Sequence, residues 1–266
     1  MNIHETTALV TGASRGIGRS IALELAKNGV KCLLLVARDR KKLAALATEI
    51  EALNVKVITL AIDLTQPVEI NIAITQAWRA YGPIDLLINC AGVAHQTPFL
   101  QSKIPDVQEE IALNIMGLYT ITRLVARRMA TRQQGTIVNV SSLMGKIAAP
   151  TMSTYSATKF AILGLTQALR SELSQHNIRV VALLPTLTET DMSRSLHLFR
   201  WVMPMTSEQV AKKLIKGLRK NSTEILVGWQ SHLAVWCSRL APGLLEKILL
   251  FASPLSQMQP QKSSSL

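Results

Sequence analysis

Short apolar runs along the chain alternate with longer stretches in which apolar residues recur every three or four positions. The runs TALVTG, KCLLLVA, VKVITLAI, IDLLINCAG, GTIVNVSS and IRVVALLP predict strands, and TEILVG predicts a seventh. Between them the helical period predicts helices near residues 16–28, 39–53, 67–80, 106–131, 154–175 and 207–220. Strands that are apolar on both faces must be covered on both sides, so the alternation predicts an α/β fold with a doubly wound parallel sheet. Thr206 and Gln209 in TSEQ have capping-box spacing and mark the start of the last of these helices. Beyond it, RLAPGLLEKILLFASPL (239–255) places Pro242 at a helix start and spreads Leu244, Leu245, Ile248, Leu249 and Phe251 around the next turns. An apolar helical extension over about 239–254 is expected there, followed by a disordered tail at 255–266. No repeat or linker divides the chain, so residues 1–254 are expected to form one domain.

Composition narrows the class. Of 266 residues, 48% are hydrophobic and 17% charged, and no stretch of 18 uncharged apolar residues occurs. The start, MNIHETTALVTG, has no basic and apolar leader, which predicts a cytoplasmic protein. Cys32, Cys90 and Cys237 lie too far apart for a metal knuckle or a dithiol motif, so buried reduced thiols and no metal site are expected. Lys+Arg 29 against Asp+Glu 17 gives 29 − 17 = +12. The basic residues are dispersed, with modest concentrations at RLVARRMATR and KKLIKGLRK that fit solvated helix faces, and no base-reading motif accompanies them. Nucleic-acid binding is not expected.

Two local patterns carry chemistry. The first strand ends in TGASRGIGRS, so Gly12, Gly16 and Gly18 precede a helix whose free N–H groups suit a pyrophosphate. In STYSATKFAILGLT, Tyr155 stands four residues before Lys159 and therefore on the same helical face. An ammonium there favours the phenolate and lowers the phenol pKa, which makes the tyrosine a proton donor near neutral pH. Packing and solubility alone are the plain alternative for that pair.

The spacing Gly-x-x-x-Gly-x-Gly is joined by DL at Asp63 and Leu64, NCAG at Asn89–Gly92, NIMG from Asn114, VSS ending at Ser142 and YSATK at Tyr155–Lys159. In this order and spacing the chain resembles the short-chain dehydrogenase/reductase superfamily over roughly residues 6–192. The resemblance implies a Rossmann-like fold and a division of labour. Ser142 would hold the substrate carbonyl, Tyr155 would protonate its oxygen, Lys159 would lower the tyrosine pKa and hold the nicotinamide ribose, and Asn114 would position a relay water. Gly12, Ser14, Arg15, Gly16, Ile17 and Gly18 would bind the cofactor phosphates. Asp63 and Leu64 would contact the adenine, Asn89, Ala91 and Gly92 would line the cofactor strand, and Pro185 and Thr190 would serve the carboxamide. Two departures stand out: Thr186 replaces the glycine that usually follows the proline, and Cys90 replaces the commoner asparagine.

Charge speaks to the cofactor. An acidic residue after the second strand suits a ribose hydroxyl pair, whereas Arg38 stands there and Arg15 sits in the glycine loop, which favours NADP(H) over NAD(H). Asp39 is read as a helix cap. The expected reaction is hydride exchange between nicotinamide and a small-molecule ketone or alcohol, apolar or lipid-like because SRSLHLFRWVMPM (193–205) predicts a greasy pocket or lid. Reduction of a 3-oxoacyl thioester on acyl carrier protein is the alternative. A non-catalytic NADP-sensing regulator is the alternative from another class, disfavoured because Tyr155 and Lys159 are both kept. The resemblance also implies a homodimer or homotetramer paired through the helices near 106–131 and 154–175. The extension at 239–254 is expected to dock on the pocket or an oligomer face, with peripheral membrane contact the less favoured role.

Overall fold

A computed structural model describes residues 2–200 and 202–254. Trp201 and the tail expected at 255–266 lie outside the described residues. The strands are β1 (Thr7–Thr11), β2 (Cys32–Ala37), β3 (Lys56–Ala61), β4 (Leu86–Asn89), β5 (Gly135–Val140), β6 (Ile178–Leu184) and β7 (Glu224–Leu226). The helices are α1 (Gly16–Lys27), α2 (Arg40–Glu51), α3 (Pro67–Tyr81), α4 (Ile104–Ile111), α5 (Leu118–Arg132), α6 (Ser153–Glu172), α7 (Asp191–Arg194), α8 (Ser207–Arg219), α9 (Trp229–Leu240) and α10 (Pro242–Ala252). All pairings are parallel, in the order β3-β2-β1-β4-β5-β6-β7.

The double-sided burial read from the sequence is realised residue by residue. Along β1 and β2, Ala8, Val10, Leu33 and Leu35 enter a core with Ile21 and Leu25 of α1, Leu43 and Leu46 of α2 and Leu214 of α8. Their neighbours Leu9, Leu34 and Val36 enter the opposite core with Ile70 and Ile74 of α3 and Ile121 and Val125 of α5. Because side chains alternate along a strand, one apolar run feeds both layers. Strand order reverses direction between β1 and β4, and such a switch point opens a crevice beyond the C-terminal strand ends.

Several expectations are corrected. The single helix expected over 106–131 is α4 and α5 joined by a π-helical turn at Ala112–Gly117. There the helix presses on the loop after β3: a Cβ on Gly117 would lie 2.5 Å from the Leu64 carbonyl oxygen. The capping box at Thr206 and Gln209 starts α8 as expected. Helix α9 was not foreseen, whereas α10 begins at Pro242 as its sequence predicts. It packs on α9 and leaves Leu244, Ile248, Leu250 and Phe251 exposed. All three thiols are free, but only Cys32 is buried; Cys90 and Cys237 are half-buried. Among the described residues no helix is long and apolar enough to cross a membrane.

Candidate active site

The crevice at the switch point is lined by residues that follow six different strands. After β1 come Gly12, Ser14, Arg15, Gly16, Ile17 and Gly18. Gly12 and Gly16 adopt φ +66° and +55°, the left-handed region that glycine enters without steric cost. A Cβ on Gly12 would stand 2.8 Å from Ala91 Cα, and one on Gly18 would stand 2.3 Å from the Gly12 carbonyl oxygen. Thr11 Oγ1 accepts from the Cys90 and Ala91 N–H groups at 2.9 and 3.1 Å, which pins the loop after β4 against the glycine loop. No side chain caps α1, so its first N–H groups face the crevice unclaimed. A cradle shaped by absent Cβ atoms at an uncapped helix N-terminus fits the diphosphate of a dinucleotide.

The far end of the crevice is cationic. Arg38 follows β2 and is exposed, and Lys42, one helical turn beyond it, lines the same wall. Asp39 between them is also exposed and lines the crevice, and its carboxylate accepts from Lys42 N–H at 3.0 Å and caps α2, as its sequence position predicts. Arg15 meets Asp191 at 3.9 Å, a half-exposed pair of small energetic weight. Asp63 and Leu64 line the wall after β3, where the Asp63 carboxylate accepts from Thr65 N and Oγ1, both at 2.9 Å.

At the other end Tyr155 and Lys159 are brought together as their spacing requires. Lys159 Nζ lies 5.3 Å from the centre of the Tyr155 ring and donates to the Val140 carbonyl at 3.2 Å. Ser142 accepts from Met144 N–H at 3.1 Å, capping the turn after β5. The expected lowering of the phenol pKa is not found. Burial dominates and pushes it up to about 12, with the Ser142 side chain acting in the opposite direction. Burial likewise brings the Lys159 ammonium down to about 8, opposed by Cys90 and Glu110. A protonated phenol is the form that can donate.

Three other residues singled out in the sequence are held by contacts within the protein. Asn89 does not line the crevice; its amide is buried and donates to Thr122 Oγ1 at 2.7 Å and Asn139 Oδ1 at 2.8 Å, because this last residue of β4 points into the helix layer. Asn114, fully buried in the π-helical turn, clamps Val93 by both its N–H (2.9 Å) and its carbonyl (3.0 Å) and donates to Thr158 Oγ1 at 3.1 Å. Its side-chain amide is thus fixed by three protein contacts. Pro185 lies off the crevice, where its carbonyl accepts from Leu143 N–H at 2.9 Å. Thr190 reaches the mouth, with Cγ2 3.1 Å from where a Cβ on Gly16 would be, while its hydroxyl caps α7. Ala91 and Gly92 line the wall as expected, and Thr186 keeps an ordinary negative φ in the glycine's place.

Sequence reasoning missed Lys42, whose signal is its position four residues after Arg38, and Glu110. The Glu110 carboxyl is 1% exposed, accepts from His95 N–H at 2.6 Å through Oε1, and has no partner at Oε2. Burial raises its pKa, and its charge acts on both Tyr155 and Lys159. Cys90 also faces the crevice, its thiol pushed up to about 12 by burial. Among the described residues no cluster of His, Cys, Asp or Glu could hold a metal.

Comparison with known proteins agrees with this geometry. The family described as short chain dehydrogenase matches residues 6–201. A 3-oxoacyl-[acyl-carrier-protein] reductase of a Synechocystis species is 34% identical over 190 residues, 71% of this chain and 77% of that protein. A Sphingobium yanoikuyae short-chain dehydrogenase in complex with NADPH superposes with a TM-score of 0.77 at 30% identity, covering 98% of each chain. A Comamonas testosteroni alcohol dehydrogenase specific for bulky-bulky ketones superposes with a TM-score of 0.75 at 27% identity, covering 100% of this chain and 98% of that one.

Proposed function

Because the chain belongs to the short-chain dehydrogenase family and is a nicotinamide-dependent oxidoreductase acting on a carbonyl or alcohol, we propose that it is an NADP(H)-dependent reductase of apolar ketones, with Ser142, Tyr155 and Lys159 as its catalytic residues. The carrying observation is the juxtaposition of the Tyr155 phenol with the Lys159 ammonium, 5.3 Å from its ring, in the crevice at the switch point. The reduced nicotinamide, when bound, supplies a hydride to the carbonyl carbon. Charge then develops on the carbonyl oxygen, and donors already aimed at that oxygen lower the barrier. Ser142 holds the oxygen, and Tyr155, kept protonated by burial, gives it a proton. Lys159 stabilises the phenolate left behind and orients the ribose. Asn114 acts as a positioning residue that fixes the Val93 segment beside this pair.

The glycine loop holds the diphosphate, Asp63 and Leu64 border the adenine, and Thr190 closes the nicotinamide end. Arg38, Arg15 and Lys42 surround the place for a 2′-phosphate, which supports NADP(H) over NAD(H). The apolar segment 193–205 supports a greasy substrate, and the free thiols support a reducing, cytoplasmic compartment. The outward-facing Ile111, Met116 and Tyr119 on the α4–α5 helix and Phe160 on α6 support pairing of two copies there. The relationship to the Synechocystis reductase favours one second reading, a 3-oxoacyl thioester as substrate. Oxidation of NADPH and NADH, followed with short ketones, long-chain ketones, steroids and 3-oxoacyl thioesters, tests both readings. Turnover confined to thioesters overturns the ketone assignment, and equal use of NADH overturns the cofactor assignment.

A further inference from the structure

Helix α9 has two faces of unexpected character. Ser231 and Val235 turn inward and are buried. Trp229, Leu233, Trp236 and Leu240, spaced i, i+4, i+7 and i+11, form a single outward stripe that is 65%, 51%, 62% and 64% exposed. In α10 the residues Leu244, Ile248 and Phe251 repeat the same spacing and are also exposed. Two successive helices that present aligned stripes of large apolar side chains to water form a contiguous patch of the kind that marks an interaction surface.

We infer that the outward faces of α9 and α10 form a docking surface for an anionic lipid bilayer, on which the protein lies without crossing it. Neither helix is long enough to span, so the apolar stripes can enter only the boundary between headgroups and acyl chains, where tryptophan is favoured because its ring is apolar and its N–H polar. Charge selects the occupant. Helix α9 carries no acidic residue, and its charged side chain is Arg239; α10 balances Lys247 against Glu246. Arg200 stands 5.8 Å from the Phe251 ring and donates its N–H to the Ala252 carbonyl at 3.0 Å. The chain as a whole bears +12. A second copy brought face to face would add another Arg239, Lys247 and Arg200 with only Glu246 of these helices to offset them, whereas anionic headgroups complement that excess of positive charge. The surface also joins the apolar segment 193–205 through the bond between Arg200 and Ala252. The docking surface itself stands independently of the catalytic reading.

Co-sedimentation of the full chain with phosphatidylglycerol/phosphatidylcholine vesicles, and with phosphatidylcholine vesicles alone, tests the inference. Binding to the anionic vesicles is expected, weakened by salt and by Arg239→Glu with Lys247→Glu. Trp229→Ser with Trp236→Ser should weaken partitioning by at least about tenfold. Unchanged circular dichroism and NADPH affinity show that these variants are folded. Absence of binding to anionic vesicles, or equal binding by the tryptophan variant, overturns the inference. So does a tryptophan variant that loses its oligomeric mass in light scattering while still binding vesicles, since the stripe then belongs to a second copy.

Discussion

Lys159 places its ammonium 5.3 Å from the centre of the Tyr155 ring, and both side chains are driven toward their neutral forms by burial. The pair is therefore arranged so that the phenol holds its proton until charge on a substrate oxygen draws it away. Tyr155→Phe is expected to lower kcat by about 10²–10⁴-fold and to leave NADPH affinity unchanged, because the phenol moves a proton and the ring remains. Lys159→Ala should lower both kcat and NADPH affinity. Steady-state kinetics with calorimetric NADPH titration separate the two variants, and full turnover by Tyr155→Phe refutes the assignment.

Arg38→Asp should move preference toward NAD(H). The 2′-phosphate loses a charge-assisted partner worth about 1.5–3 kcal/mol, or roughly 10- to 150-fold in affinity, and meets a repelling carboxylate. The ratio of kcat/KM for NADPH and NADH in both proteins measures this. Lys42→Ala, on the same wall, should shift the ratio in the same direction by less. An unaltered ratio in Arg38→Asp would return that residue to the surface.

Stability should depend on pH in a direction fixed by the same burial. Lys159 is brought from 10.5 to about 8, so between these values the unfolded chain binds more protons at this side chain than the folded one. Stability from this group therefore rises with pH above about 8, at about 1.4 kcal/mol per pH unit for each proton. Cys90 is raised from 9.0 and Tyr155 from 10.0, each to about 12, and the unfolded thiol and phenol ionise first, so their contributions fall above 9.0 and 10.0. Urea unfolding at about pH 7 and about pH 9 should show the wild type gaining stability relative to Lys159→Met. A constant difference between the two proteins contradicts the buried ammonium.

Gly12→Ala should destabilise the chain by more than the ~1–2 kcal/mol cost of left-handed backbone alone, since its Cβ would also stand 2.8 Å from Ala91 Cα. The denaturation midpoint should fall and NADPH affinity with it, because the glycine loop and the loop after β4 must separate. A substitution that lowers neither would show that the two loops have room to spare.

Light scattering at micromolar concentration should give two or four times 29.1 kDa. Met116→Asp with Tyr119→Asp, on the outward face of α5 and the turn before it, should shift the mass toward that of one chain. A monomeric wild type removes the proposed pairing.

The sheet was legible because burial on both faces leaves an unbroken apolar signature, and Tyr155 and Lys159 were legible because one turn of helix is a local rule. What escaped depends on contacts between distant segments. Nothing near Glu110 in sequence announces that its carboxyl is buried beside the pair, since this follows from packing α4 against the His95 segment. The π-helical turn at Ala112–Gly117 arises where Leu64 presses on Gly117 and leaves no trace in periodicity. Asn89 sits beside the crevice in sequence, yet strand alternation turns its amide to Thr122 and Asn139. The stripe on α9 has a plain helical period, but a period alone does not tell which side meets water. The direction of the Tyr155 shift was misread for a related reason: the i, i+4 rule sees the neighbouring charge and not the burial that outweighs it.

The crevice draws its walls from residues as early as Gly12 and as late as Met192. A chain leaving the ribosome presents the glycine loop first and the Thr190 segment only after β1 to β6 have been made. During synthesis, then, the nucleotide has no complete place to bind, and β1 to β5 must gather by their own apolar contacts. Once Met192 has emerged, ligand binding couples the earliest and latest segments and stabilises the finished chain by mass action. Resistance to protease in the presence of NADPH should accordingly appear as a late step in translation, and chains stopped before β6 should show none.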